Sequence, residues 1–108
     1  MTKVAELQGV QLDYWVAKAQ GIIMPQLLDS YSPSSNWSDG GPIIEREGIS
    51  VNQHNNIPDR PENRWISTKY QGGMQVGIPR PISAFGPTPL IAAMRCFLTG
   101  KYGDETPK

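Results

Sequence analysis

The sequence predicts an α+β domain in which a small, mostly antiparallel sheet is covered by an N-terminal and a C-terminal helix. Three observations carry this: an almost all-round apolar helix late in the chain, an amphipathic helix near its start, and short aromatic or β-branched segments between turn residues. The chain of 108 residues has room for one domain with one hydrophobic core, needing neither disulfides nor metal to fold. The expected division is a domain over residues 1–103 and a polar tail over 104–108.

The first helix is expected over residues 5–20. Leu12, Trp15, Val16 and Ala19 recur at helical spacing, Gly9 weakens the first turn and Gly21 supplies the stop. Trp15 is expected to pack on the later helix, whereas Tyr14 lies off the main stripe and can face a cleft. Residues 22–28 form an apolar run broken by Pro25, read as an edge strand or two half-strands. Residues 29–41 are rich in Ser, Pro, Asn, Asp and Gly, with Tyr31 and Trp37 as the large residues. Trp37 there either plugs the edge of the core or, with Tyr31, flanks a planar ligand.

Pro42, after Gly40 and Gly41, reads as the first residue of a short helical turn, with Ile43 and Ile44 inward and Gly48 ending it. Residues 49–51 read as a strand, residues 52–63 as a polar surface loop, and residues 65–70 as the strongest strand in the chain. Gly72 and Gly73 turn the chain, residues 74–76 are a candidate returning arm, and residues 77–86 read as an extended, proline-punctuated approach to the last helix. Thr88 is its expected N-cap and Pro89 its first residue. Leu90, Ile91, Met94, Phe97 and Leu98 then recur at helical spacing, and Gly100 reads as the stop.

Composition bounds the function. Ten basic and ten acidic residues give no net charge, which argues against bulk binding to nucleic acid or a membrane surface but leaves a local basic patch open. The single cysteine, Cys96, lies within the apolar helix and reads as a packing residue in a reducing compartment. No apolar run approaches the roughly 18 residues a membrane span needs, and no charged segment precedes an apolar core at the start, so the chain reads as cytosolic. His54, the one histidine, sits in a polar run with no second ligand nearby and reads as a solvated loop residue. One histidine and one core cysteine compose no catalytic triad or metal set, and no phosphate-binding glycine loop of the nucleotide-hydrolase type occurs. The expectation is a protein that is not an enzyme and carries no cofactor or metal.

Two expected helix starts carry the remaining signal. At Gly86, Pro87 and Thr88, and again at Gly40, Gly41 and Pro42, first-turn amides could receive an anion. Arg46, Arg80 and Arg95 are the candidate guanidinium partners; Arg95, inside an apolar helix, must reach solvent, an acid or a ligand. Trp37 is the first choice as a platform for a base, with Tyr31 or Phe85 second.

Leu12 to Ala17 followed by Gly21, then Trp37 with Gly41, Pro42, Ile43, Ile44, Glu45, Arg46 and Ile49, then Trp65, and finally Thr88, Pro89, Leu90, Ile91, Ala92, Ala93, Met94 and Arg95 carry a resemblance. In these residues the chain resembles the small NinX-like proteins of tailed bacteriophages and prophages, most specifically in the last helix. That is a family of unknown function, so the resemblance implies a phage setting and supplies no catalytic residues. Two readings follow. In one, the protein captures a small anionic, nucleotide-like host metabolite such as an immune signal; in the other, it is an accessory protein docking on a host or phage protein in recombination, replication or defence. A chain with so many loop residues and a limited core is also expected to form a homo-oligomer.

Overall fold

In the computed structural model the described residues are 2–21, 31–53, 64–71 and 80–107. The readings of an apolar edge strand over 22–28, of the loop with His54, and of the Gly72–Gly73 turn with its arm at 74–76 lie outside them. Among the described residues there are three helices and three strands, α1 (Gly9–Ala19), α2 (Trp37–Glu47), β1 (Ser50–Gln53), β2 (Trp65–Gln71), β3 (Arg80–Gly86) and α3 (Pro89–Tyr102), preceded by a 3-10 turn (Val4–Glu6). The sheet runs β1-β2-β3, both pairs antiparallel. The α+β class with an antiparallel sheet and packed helices is thus the observed architecture.

The last helix organises the rest. The Thr88 hydroxyl accepts a hydrogen bond from the Ile91 amide at 3.1 Å and Pro89 opens the first turn, so α3 begins where the sequence places it. Its residues 92–98 are all buried, because one side lies on the sheet and the other receives α1 and α2. Met94, Cys96, Phe97 and Leu98 pack with Val4, Leu7, Leu12, Val16, Ile43 and Ile49 in one core. The buried Ser67 hydroxyl donates to the Ala92 carbonyl at 2.6 Å, fixing β2 against the helix. Trp15 meets Tyr102 of α3 edge-on, ring centroids 5.7 Å apart, as its place on the α1 stripe predicts.

Four sequence expectations are corrected. The first helix does not run unbroken from residue 5: a 3-10 turn comes first, and Gly9, at φ +61°, starts α1 anew in a conformation that favours glycine. Gly100 does not end α3, which continues to Tyr102; Gly103, at φ +83°, takes the terminal role. Residues 80–86 are not merely an extended approach but the strand β3, with Pro81 opposite Tyr70. Proline is tolerated because β3 is an edge strand among the described residues and alternate N–H groups there point away from β2.

The fourth correction concerns α2. It begins at Trp37, capped by the Asn36 side chain, which accepts from the Ser38 amide at 2.9 Å. Gly40, Gly41 and Pro42 therefore lie inside a helix rather than before one. Gly40 is needed there for contact, since a Cβ would collide with the Pro33 carbonyl oxygen and come within 2.7 Å of Leu90 Cδ2.

The segment read as a polar tail is tied into the fold. The Val4 amide donates to the Asp104 carbonyl at 2.9 Å, the Thr106 amide donates to the Thr2 carbonyl at 2.9 Å, Lys3 bridges Glu105, and Thr106 is 2% exposed.

Candidate functional site

Arg95 is the one residue of α3 that its apolar character does not explain. It is 7% exposed, and its guanidinium is held by two backbone carbonyls: Nε donates to Leu7 O at 2.9 Å and Nη1 to Phe85 O at 2.8 Å. One carbonyl follows the 3-10 turn and the other lies on β3, so the side chain ties the start of the chain to the sheet edge across α3. A guanidinium has five N–H groups, and the remaining three have no protein partner among the described residues. Burial pushes the Arg95 pKa down, but an arginine starts so far above neutrality that it stays a cation.

Beside this guanidinium lies a cleft of about 450 Å³, within the size range of small-molecule sites. Arg95 and Thr99 of α3 line it from below. Ser83, Ala84 and Phe85 of β3 form one wall, and Lys3 to Ala5 with Asp104 and Glu105 form the other. The Thr99 hydroxyl donates to the Arg95 carbonyl at 2.8 Å. Phe85 is 37% exposed at the rim. The lining brings two cations and two carboxylates together, and none of these four pairs with another: the ion pairs among the described residues are Arg46–Glu47 and Lys69–Glu47.

The other expected site residues lie elsewhere. Tyr31 accepts from Gln20 Nε2 at 2.7 Å, and Gln20 Oε1 accepts from Arg46 Nη2 at 3.2 Å. Arg46 Nε also donates to Glu47 at 3.1 Å, and Lys69 Nζ donates to Glu47 at 2.6 Å. This second cluster joins α1, α2 and β2. The Lys69 ammonium, with Arg46 adding to it, holds the Glu47 carboxyl below its ordinary pKa against the opposing effect of burial. Trp37 is 56% exposed at the start of α2 and is not among the residues packed against the core, so it does not plug the core's edge. It lines neither the cleft nor this cluster. Nine residues separate it from Arg46, about 13 Å along a helix axis. Arg80 opens β3 at the end opposite Phe85.

Neither helix start offers the row of amides expected of an anion site. In α3, Pro89 has no N–H, the Ile91 amide is taken by the Thr88 hydroxyl and the Ala92 amide by the Thr88 carbonyl, which leaves that of Leu90. In α2, the Asn36 side chain and carbonyl take the amides of Ser38, Asp39 and Gly40, which leaves that of Trp37. Gly40, Gly41, Gly86 and Thr88 are thus packing, strand or capping residues.

Residues 22–101 match the family described as Bacteriophage P22, NinX. The chain belongs to this phage family. The match includes Trp37, the whole of α2, the sheet and nearly all of α3, with Phe85, Arg95 and Thr99 of the cleft. The wall made by Lys3, Asp104 and Glu105 falls outside the matched span. No curated protein matches the chain. No helix of the described residues is long and apolar enough to cross a membrane, and no group of three or more His, Cys, Asp or Glu among them is placed to hold a metal ion.

Of the polar residues that line the cleft, Lys3, Ser83, Thr99, Asp104 and Glu105 are not among the candidates the sequence offers. Nothing local marks them, because the cleft arises only when both ends of the chain meet over β3.

Proposed function

We propose that this member of the phage NinX family is a non-enzymatic binding protein that captures a small anionic, nucleotide-like molecule in the cleft over Arg95. One observation carries the reading: a guanidinium 7% exposed, fixed by two carbonyls, with its remaining donors beside a ligand-sized cleft. Such a group needs no reordering to receive an oxyanion, which lowers the cost of binding. The phosphate then lies against Arg95 and Lys3, and the base toward the wall made by Asp104 and Glu105. In a phage setting the site of action is the host cytoplasm, and the effect of capture is to withdraw a host signal molecule.

Addition of an extended peptide to β3 is disfavoured at the same edge. The Phe85 carbonyl is occupied by Arg95, and Pro81, whose backbone points the same way, has no N–H to offer.

A panel of cyclic and linear nucleotides, each tested for a shift in melting temperature, is the direct test, because a ligand that binds only the folded state raises it. Lys3→Ala should weaken the best nucleotide about tenfold while leaving the fold intact, and Trp37→Ala should leave it unchanged. Loss of binding in the tryptophan variant alone would move the site to α2.

A second reading has its own observation. Tyr70, 66% exposed, and Phe85 share the face of the sheet turned away from α3, where they offer an apolar surface for a protein partner or a second copy of the chain. Light scattering across a range of concentrations tests the second copy: dimerisation abolished by Tyr70→Ser supports it, and a constant monomeric mass counts against it.

A further inference from the structure

We infer that the cleft selects a nucleoside monophosphate over the corresponding triphosphate, with its base edge donating to Asp104 or Glu105. This rests on the reading of the cleft as a ligand site, and it follows from the charge the walls bring together. Arg95 and Lys3 provide two positive charges, and Asp104 and Glu105 two negative ones, in a space of about 450 Å³ with no ion pair among them.

A phosphate monoester at neutral pH carries about −1.5 to −2 charge, which Arg95 and Lys3 together balance. Two further ionised phosphates have no cation left to meet them and stand close to the carboxylates instead. The guanidinium is limited in the same sense, since two of its five donors are committed to Leu7 and Phe85. The carboxylates in turn ask for donors. Guanine presents a ring N–H and an amino group side by side on one edge, matching the two oxygens of a carboxylate, while adenine presents only its amino group there.

The test is calorimetric titration of GMP and GTP in chelator-containing buffer, so that no divalent ion neutralises the phosphates. The wild type is compared with the double variant Asp104→Asn, Glu105→Gln. Both positions are exposed, and an unchanged melting temperature confirms that the variant folds. The wild type should bind GMP about tenfold more tightly than GTP, and the variant should lose most of that preference. GTP binding as tightly as GMP to the wild type, or an unaltered ratio in the variant, overturns the inference and leaves the cleft reading standing. Absence of binding by every cyclic and linear nucleotide of the panel overturns the cleft reading, and this inference with it.

Discussion

Arg95 and Arg46 are both helix arginines, yet their surroundings give them opposite roles. Arg95 is held by backbone carbonyls, which carry no net charge, so its positive charge remains available at the cleft. Arg46, with a side chain 53% exposed, turns to Glu47 and Gln20, and Glu47 is itself shared with Lys69. The first guanidinium is buried and has no acid paired to it; the second is exposed and paired with one. A cation fixed by neutral acceptors is ready for a ligand, whereas one fixed by an acid has already found its counterion.

The largest difference should appear on removing each side chain's polar head. Arg95→Met keeps most of the bulk but leaves the Leu7 and Phe85 carbonyls without their donor, and should cost about 2 to 4 kcal/mol in urea unfolding. A loss near zero would mean that water replaces the guanidinium easily and that its anchoring is unimportant.

A smaller effect is expected at Glu47, where Lys69 holds the carboxyl below its ordinary value of 4.5. A carboxylate with a lowered folded pKa adds stability above its unfolded pKa and loses it as pH falls through the folded one. Its contribution is therefore complete at neutral pH and disappears in acid below the ordinary value. Glu47→Gln should destabilise by roughly 0.5 to 1 kcal/mol at pH 7 and converge with the wild type in thermal melts taken well into acid. A difference that persists unchanged at low pH would show that packing, not charge, is what Glu47 supplies.

Arg46→Ala should matter least, within about 0.5 kcal/mol, because an exposed pair in water gains little. If instead it matched Arg95→Met in chemical denaturation, the contrast between the two arginines would collapse.

What could be read in the sequence was what local contacts decide. The start of α3 is one such case, since Thr88 caps Ile91 three residues away and Pro89 sits between them. The α2 start was misread because the Gly40, Gly41, Pro42 run resembles punctuation, while the Asn36 cap further back looks like any loop asparagine. Pro42, 6th in that helix, is exposed, so the carbonyl it leaves without a donor can turn to water. Proline likewise concealed β3, where only the pairing with β2 shows that its N–H was not needed. At the site, Phe85 and Arg95 were among the candidates because one borders a loop and the other is a charge among apolar residues. Lys3, Asp104 and Glu105 carried no such contrast, being ordinary charged residues near the ends of a chain whose ends happen to meet.

That meeting sets an order in time. The hydrogen bond from Val4 to Asp104 closes a loop of about a hundred residues, and a contact so distant in sequence gains its enthalpy only after the closure entropy has been overcome. Helices and the adjacent-strand pairs can form earlier, from nearer partners. The clasp, and with it one wall of the cleft, is expected to arrive late on the folding route and to open early when the native state fluctuates. A molecule seated over Arg95 would then act as a stitch across this long loop, slowing the first step by which the protein comes undone.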